Sequence, residues 1–550
     1  MNPRHLGRGP VRAAAARGGA VALLAAALLA SAACSHPAAP ARPAEQVFRF
    51  RLHEEPPTLD PALQTDNLSE AVVTNVFRGL VAMAPDTLEV QPAVARSWTV
   101  SPDGMTYTFT LRDDVRFHND RRLTADDVVW SFRRLMAKET RSPRRFLLEP
   151  LAGAAAFEDG KTDDFPGVSA PDPRTVVLHL DKPFAPLLGL LTMAGAAILP
   201  REVYEDPEKK YLRAPVGCGP FRFLRWEAGS LIELGAFDHY YAGRPALDRV
   251  QIRIIDNQVT AFQEYQAGGL DSLDEVPNDL PEAVKAEVLR YPYLGIGYIG
   301  FNLDQAPFKG NAALRQALNY AVDKEHLWNV LMPGSNIPGR GLIPPGIPGY
   351  DPSLPGYPHD EAKARSLLAR AGYPAGRGLQ PIALWYNTSE DNRRIAEAVQ
   401  ADLRTVGVPV TLREVDWAAY IKAVEGSATS PGEAQMFRFG WSLDYPDPDA
   451  VLRLLLHSKN VGPAGNFSRY RNPEFDRLTD EALTLTDPAA RALAYRRAER
   501  IAVMDDAVML FLNYYGSMTL FKPYVKGVVP TPLGEFRIPL ERLRMEKPRS

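Results

Sequence analysis

The sequence predicts a mixed α/β fold divided into two or three lobes. Its 550 residues are several times the length of a typical domain of roughly 100–150 residues. Short alternating runs, which are typical of strands, are interspersed along the chain with segments of helical periodicity. The 45% hydrophobic and 9% aromatic residues are enough to form folded cores, so a disordered or fibrous protein is excluded.

Strands are predicted where apolar and polar residues alternate. The first such run covers residues 47–52, and residues 98–112 contain two alternating runs around a Pro-Asp-Gly turn, a pattern typical of a hairpin. Residues 231–234 and 250–255 are predicted as two further strands. The predicted strands are therefore spread along the N-terminal half of the chain.

Helices are predicted from apolar residues that recur at helical spacing. They cover residues 69–80, a segment that begins at 124, and residues 311–330, 361–371, 391–406 and 487–504. Thr124 and Thr486 are expected to cap the helices that follow them. The apolar run 183–200 is expected to form a core helix, since Pro and Gly interrupt it too often for a membrane span. The Pro- and Gly-rich residues 333–358 are expected to form an irregular loop.

Charge and motif content exclude several classes of protein. A net charge of −3 provides no basic surplus for binding nucleic acid, and two cysteines cannot form a disulfide framework or a structural zinc site. Cys218 is expected to be a small buried thiol. No P-loop or nucleophile-elbow serine is present, and we expect neither a cofactor nor a metal.

One glycine motif matches a cofactor-binding pattern by its letters alone. Residues 295–300 read Gly-Ile-Gly-Tyr-Ile-Gly, which matches the dinucleotide fingerprint. That fingerprint works only where a strand leads into a helix that holds the pyrophosphate. Residues 301–308 instead read as a strand followed by a loop, so we expect the glycines to belong to a twisted strand that crosses between lobes.

The N-terminus has the layout of an export signal. Four arginines and no acidic residue occupy residues 1–17, an uncharged apolar run follows at 18–29, and small residues precede Cys34. This pattern predicts a signal peptide over residues 1–33, and a retained N-terminal anchor is the alternative. A cysteine after small residues is similar to the bacterial lipoprotein signal, although Ser31 stands where Leu is usual. The similarity implies lipidation of Cys34, with residues 34–45 as a tether.

Four stretches carry a resemblance to one family, in that family's order. They are residues 91–117 with 123–132, residues 217–221 with 240–250, residues 301–308 with 314–324, and residues 440–448. Together they resemble the extracytoplasmic solute-binding proteins of family 5, the peptide/nickel class that serves ABC importers. Cys218 departs from the pattern, where Thr is more frequent.

The resemblance implies a periplasmic-binding-protein-like type II fold, with two lobes, an extra domain and a hinge. It divides the chain into domain I (46–77, 198–298 and 516–550), domain II (78–197) and domain III (299–515). Within the family, residues 384–389, 415–417, 438–445 and 470–476 are most similar to the oligopeptide-binding proteins. Such proteins close on an extended ligand and perform no chemistry on it.

Five ligand-binding residues follow from that resemblance. Asp444 is expected to hold the ligand's α-ammonium group, and Arg438 to meet the carboxylate of a short peptide. Trp417 and Trp441 are expected to line the cleft, and Tyr515 to border it. An acid and an Arg at opposite ends suit a zwitterionic peptide, because burying unpartnered termini would be costly.

Each of these residues also has a structural interpretation. Asp444 could cap a turn, the two tryptophans could fill the core, Arg438 could belong to an internal ion pair, and Tyr515 could be a core aromatic. Three other positions depart from the oligopeptide-binding pattern: Thr65 replaces an acidic residue, Arg144 replaces an aromatic residue, and Asn392 replaces a histidine that receives the carboxylate of longer peptides.

We therefore expect a receptor that captures oligopeptides and delivers them to an ABC permease of the inner membrane. It would be exported, act at the periplasmic or cell-surface face as a monomer, and be held to the membrane through lipidated Cys34. A binding protein for oligosaccharides or nickel chelates is the first alternative. A hydrolase on the same scaffold is the second.

Overall fold

The computed structural model describes residues 45–546, apart from residues 207, 278–279, 333, 335, 427–431 and 464. The predicted signal peptide, Cys34 and the tether up to residue 44 lie outside the described residues. From Gln46 onward the described residues form one compact unit. Within this unit, no helix is both long enough and apolar enough to cross a membrane.

Strands form at each of the alternating runs predicted from the sequence, and at further positions that were not predicted. In chain order they are β1 (Val47–Leu52), β2 (Val81–Met83), β3 (Val90–Pro92), β4 (Ala95–Val100), β5 (Thr106–Leu111), β6 (Val168–Asp172), β7 (Thr175–His179), β8 (Phe221–Glu227), β9 (Leu231–Ala236), β10 (Arg249–Ile254), β11 (Ser272–Leu273), β12 (Val288–Phe301), β13 (Ile337–Pro338), β14 (Ile382–Asn387), β15 (Val410–Val415), β16 (Met436–Ser442), β17 (Met509–Phe521), β18 (Val525–Lys526) and β19 (Arg544–Met545). The predicted hairpin corresponds to β4 and β5.

The helices begin close to the predicted positions and several end earlier. They are α1 (Asn67–Val76), α2 (Ala125–Met136), α3 (Ala154–Glu158), α4 (Leu187–Leu190), α5 (Arg201–Tyr204), α6 (Gln258–Ala267), α7 (Glu282–Lys285), α8 (Ala312–Ala321), α9 (Lys324–His326), α10 (Glu361–Arg370), α11 (Glu390–Thr405), α12 (Trp417–Glu425), α13 (Asp449–Leu456), α14 (Pro473–Thr484) and α15 (Pro488–Arg500). Thr124 caps α2 in a capping box with Asp127, as predicted.

Three helix predictions were wrong in detail. Asp487, not Thr486, caps α15, because its carboxylate accepts the backbone N–H of Ala490 at 2.7 Å. The apolar run 183–200 contains only the single turn α4 and a 3₁₀ turn, since its Pro and Gly residues interrupt any longer helix. The helix predicted over 311–330 ends at Ala321, because Asp323 caps a new helix.

Three main sheets organise the chain. One has four strands in the order β1-β10-β9-β8, and another has four in the order β4-β5-β7-β6. The largest has seven strands, with the order β11-β17-β12-β16-β14-β15 and β13 paired to β17. The sheet of β1, β10, β9 and β8 lies within the segments assigned to domain I, and the sheet of β4, β5, β7 and β6 lies within domain II. The seven-stranded sheet contains strands from the segments assigned to domains I and III. The domain boundaries themselves remain a prediction.

Two small features agree with the sequence analysis. Cys218 is buried, and this burial raises the pKa of its thiol to about 12, so it is a core side chain. Residues 295–300 lie inside β12, in the middle of the seven-stranded sheet. No helix begins directly after β12, so these glycines cannot form a dinucleotide-binding turn.

Candidate functional site

The site is built around one edge of β16. This strand pairs antiparallel with β12 along its whole length. On its other side it pairs with β14 only at Met436 and Phe437, so no described strand pairs there with residues 438–442. A strand edge of this kind offers backbone N–H and C=O groups to an added strand. The edge thus has no described strand partner over residues 438–442, although the hydroxyl of Tyr420 donates to the carbonyl of Arg438.

Glycines in β12 make room for side chains that lie across the sheet. A methyl group at Gly295 would overlap the ring of Tyr515, and one at Gly297 would lie 3.2 Å from Nη2 of Arg438. Tyr515 also stacks on Tyr293, with ring centroids 6.3 Å apart. Close approach of a side chain to the backbone explains why glycine occupies these strand positions.

Arg438 is a buried cation beside the glycines of β12. Its exposed fraction is 7%, and none of the described carboxylates forms an ion pair with it. Nη1 donates to the carbonyl of Phe439, while Nε has no hydrogen-bond partner among the described residues. The alternative interpretation, in which Arg438 belongs to an internal ion pair, therefore finds no acidic partner among the described residues. A buried guanidinium without an anion is costly, and a ligand carboxylate would offset that cost.

Trp417 lies on the opposite face of β16, at the start of α12. Asp416 begins the helix by accepting the backbone N–H of Ala419 at 3.0 Å. The indole lies 6.2 Å from the ring of Phe439 and 5.8 Å from that of Tyr420. It nevertheless remains 57% exposed, so Trp417 is not a core side chain and its surface is free to contact a ligand.

Trp441 is held more firmly than Trp417. It is half-buried and packs against the main apolar core. Its Nε1 donates to the carbonyl of Ala450 in α13 at 2.8 Å. The Nε1 side of the indole thus has a structural role, in agreement with the interpretation of Trp441 as a core residue. The rest of the ring reaches the surface beside the unpaired edge of β16.

Asp444 follows two residues after the end of β16. Half of its side-chain surface is exposed, and its nearest cation is Arg144, whose Nη1 lies 3.9 Å from Oδ1. Partial burial and the charge of Glu70 raise the pKa of Asp444, while Arg144 and Arg537 oppose that shift. No described backbone N–H donates to this carboxylate, so the turn-cap interpretation finds no hydrogen bond to support it.

The structure brings the five predicted residues to one strand. Arg438 and Trp441 belong to β16, and Asp444 continues it. Trp417 and Tyr515 come from separate parts of the chain and pack on opposite faces of the same strand. Side chains that alternate on both faces of a strand with a partly unpaired edge could form pockets for an added peptide.

Sequence reasoning missed two features near the site. Arg144 was visible only as a departure from the oligopeptide-binding pattern, and nothing local in the sequence indicates its approach to Asp444. A cavity of about 460 Å³ is lined by five arginines and by one acidic residue, Glu541. None of the five predicted residues lines it, although Arg537 both lines it and acts on the pKa of Asp444. The cavity therefore lies next to the site rather than within it.

The family assignment rests on comparison with known proteins. A family model described as "Bacterial extracellular solute-binding proteins, family 5 Middle" matches residues 89–463. The chain belongs to this family. The resemblance carried by the four sequence stretches is thereby confirmed, and so is the predicted class of fold. Because family 5 consists of solute-binding proteins, this chain binds a solute, and membership supports neither a nucleic-acid-binding nor an enzymatic role.

Individual relatives cover most of the chain. "Heme-binding protein A" of Haemophilus influenzae is 34% identical over an alignment of 513 residues that covers 88% of this chain and 90% of the relative. "Dipeptide-binding protein" of Escherichia coli is 30% identical over an alignment of 515 residues that covers 87% of this chain and 91% of the relative. The unliganded open form of the periplasmic murein tripeptide binding protein MppA superposes with a TM-score of 0.79 at 27% identity, covering 92% of this chain and 98% of that one.

Proposed function

We propose that this protein captures peptides with free termini and delivers them to an ABC permease. The observation that carries the proposal is the open edge of β16 between a carboxylate, Asp444, and a buried cation, Arg438. A ligand running along this edge would meet an acid at one end and an Arg at the other. Among common metabolites, a short peptide has that distribution of charge.

The spacing of the two charged residues limits the ligand length. Positions 438 and 444 are six residue steps apart, so their Cα atoms are at most ~20 Å apart in an extended chain. That distance corresponds to an extended peptide of no more than about six residues. Peptides of a few residues are therefore the favoured class.

Main-chain recognition would make the site tolerant of ligand sequence. Hydrogen bonds made by strand addition use groups that every peptide shares, while the side chains face pockets. Trp417 and Tyr515 would contribute apolar walls to such pockets, one on each face of the strand. A receptor that collects mixed peptides needs this tolerance.

Closure of lobes would complete the capture. In the predicted domain division, Arg144 belongs to domain II and Asp444 to domain III, so their contact joins two domains. A ligand that contacts both sides shifts the population toward the closed form. We further propose export through the signal at residues 1–33, membrane anchoring through lipidated Cys34 and action as a monomer at the periplasmic or cell-surface face.

Titration calorimetry with one peptide in three forms tests the proposal. Trialanine should bind, and both N-acetyl-trialanine and trialanine amide should bind at least about tenfold more weakly, because each lacks one charged hydrogen-bonding end. Equal affinities for the three forms would contradict the proposal, and so would the absence of binding by any peptide in a mixed pool.

Two further measurements address the alternatives. Native mass spectrometry of the protein purified from cells should reveal a bound peptide, and a bound oligosaccharide or nickel chelate would contradict the peptide proposal. Recovery of intact trialanine after long incubation is expected of a binding protein, whereas hydrolysis of the peptide would show an enzyme.

A further inference from the structure

The cavity beside the peptide site is lined by more positive than negative groups. We call it the arginine cavity, after the five arginines in its wall: Arg78, Arg112, Arg244, Arg537 and Arg542. Its volume of about 460 Å³ falls in the range of small-molecule binding sites. All of its lining residues come from the segments assigned to domains I and II, whereas Asp444 and Arg438 belong to the segment assigned to domain III. The arginine cavity is therefore separate from the edge of β16.

Three of the five arginines are held by carboxylates. They form the ion pairs Arg78–Glu541, Arg244–Asp238, Arg244–Asp248 and Arg537–Glu70. Of these four acids only Glu541 lines the cavity. The other three carboxylates hold their arginines from outside the wall, so the wall itself keeps an excess of positive charge.

Arg112 is half-buried and is fixed in place without a carboxylate. Its Nε donates to the carbonyl of Ala93 at 2.9 Å, and its guanidinium carbon lies 5.1 Å from the ring centroid of Tyr241. Among the described residues, Nη1 and Nη2 have no hydrogen-bond acceptor and no carboxylate forms an ion pair with Arg112. The outer N–H groups thus form a pre-oriented fork, the geometry that binds an oxyanion through two parallel hydrogen bonds.

Arg542 is the second arginine of the wall without an acidic partner. It is exposed and ends the 3₁₀ turn Leu540–Arg542. Its sequence neighbour Glu541 is engaged by Arg78 at 2.7 Å, and no other described carboxylate pairs with Arg542. An anion in the cavity would therefore meet two guanidinium groups that no described carboxylate neutralises.

We propose that the arginine cavity binds a small organic oxyanion with at least two negative charges, a polycarboxylate or a phosphate ester. The two unpaired guanidinium groups suit two negative charges. The cavity of about 460 Å³ is many times the ~30 Å³ share of one water molecule, so it has room for an organic body as well as the charged groups. Apolar side chains, among them Val81, Met83 and Leu533, line part of the wall and would contact that body.

This ligand is distinct from the peptide, and the inference goes beyond the proposed function. The cavity and the peptide site are linked by Arg537, which lines the cavity and lowers the pKa of Asp444 through its charge. Arg537 is itself paired with Glu70. We therefore expect the anion and a peptide to bind the protein at the same time.

Titration calorimetry of the purified protein with three anions tests the inference. Citrate offers several carboxylates, glycerol 3-phosphate offers a divalent phosphate ester, and acetate offers a single negative charge. In low salt, where charges are least screened, citrate, glycerol 3-phosphate or both should bind at least about tenfold more tightly than acetate, because a second charged contact is added. Binding of only one of the two would support the inference and would identify the preferred class of anion.

Three single substitutions test whether the anion lies in the arginine cavity. Arg112→Gln removes the fixed fork and should weaken binding of the tighter anion at least about tenfold. Arg542→Gln removes an exposed guanidinium and should weaken binding about threefold without depending on a change in folding. Arg96→Gln, the control, removes the same charge from an exposed position of β4 outside the cavity. It should change the affinity by less than about twofold.

A titration in the presence of saturating trialanine tests whether the two sites are separate. The affinity for the anion should change by less than about threefold, and Arg112→Gln should bind trialanine as the wild type does. Stoichiometric competition between the anion and trialanine would overturn the inference, because the anion would then occupy the peptide site.

The remaining outcomes separate this inference from the proposed function. Binding of both multivalent anions no tighter than that of acetate, or equal losses in Arg112→Gln and Arg96→Gln, would overturn the arginine cavity as an anion site and leave the peptide proposal standing. Anion binding that depends on Arg112 and Arg542, in a protein that binds no peptide, would support the inference and contradict the peptide proposal.

Discussion

Gly440 lies directly beneath the hydroxyl group of Tyr515. A methyl group at Gly440 would overlap that hydroxyl and would lie 3.1 Å from the ring carbon Cζ. Gly295 is covered by the same ring. The position of Tyr515 over β16 therefore depends on two strand glycines that leave space for it, and this dependence makes the site sensitive to very small substitutions.

Gly440→Ala should displace Tyr515. Overpacking of this kind typically costs about 1–3 kcal/mol, so the variant should unfold at lower denaturant concentration and bind peptide more weakly. Gly189→Ala is the matched control, because no atom lies within 4 Å of the added methyl group and alanine suits the helical position of Gly189. Equal stability of the Gly440 variant and the wild type would show that Tyr515 does not occupy this position.

Asp444→Asn should separate binding from stability. Loss of the negative charge should weaken binding of a free-amine peptide by at least about tenfold and leave binding of its N-acetyl form nearly unchanged. Folding raises the pKa of Asp444, so its ionised form is disfavoured in the native state and the neutral amide should not lower the stability of the free protein. Equal loss of affinity for both peptides, measured by calorimetry, would refute the ammonium role.

Trp417 should report ligand binding by fluorescence. Its indole is 57% exposed beside Phe439, so a ligand on the open edge of β16 should cover it and shift its emission to shorter wavelength. Trp417→Phe should remove most of the ligand-induced shift, and Trp98→Phe on β4 should leave it intact. Persistence of the full shift in the Trp417 variant would show that the ligand binds elsewhere.

Glu499 should make folding stability depend on pH. Its carboxylate is buried and accepts the backbone N–H groups of Leu342 and Ile343 at 2.7 and 2.8 Å, yet burial raises its pKa to about 7. Between its unfolded value near 4.5 and about 7, the native state binds more protons than the unfolded state. The free energy of unfolding contributed by this group therefore falls as pH rises through that window.

The Glu499→Gln variant should lack this contribution while keeping an acceptor for both N–H groups. Chemical denaturation should show that it gains stability relative to the wild type at about pH 7.5, and that it gains much less at about pH 5. Glu481→Gln, at an exposed position of α14, should show no such pH-dependent gain. A difference between Glu499→Gln and the wild type that does not change with pH would contradict the prediction.

The sequence predicted local features better than long-range contacts. Thr124 was identifiable as a helix cap because the capping box lies within four residues, and the hairpin of β4 and β5 because its turn is local. The boundary at Asp487 was misplaced by one residue because Thr486 is also a good capping residue.

Contacts between distant parts of the chain could not be predicted in the same way. The resemblance supplied Asp444 and Arg438, but the approach of Arg144 to Asp444 joins residues 300 positions apart. Likewise, the glycines of β12 were recognisable as strand residues. The reason that glycine is required there could not be predicted, because the aromatic ring and the guanidinium that lie over these positions are placed by the alignment of three strands. Sheet register of this kind is fixed by the whole fold.

A crystal structure of the protein with bound trialanine would show directly whether Asp444 binds the ligand's ammonium group. We expect the peptide's ammonium nitrogen to lie within about 3.2 Å of the Asp444 carboxylate, with the peptide main chain paired to the edge of β16 and its carboxylate close to Arg438. A peptide bound with its amino end away from Asp444, or away from this strand edge, would show that Asp444 does not hold the ligand's ammonium group.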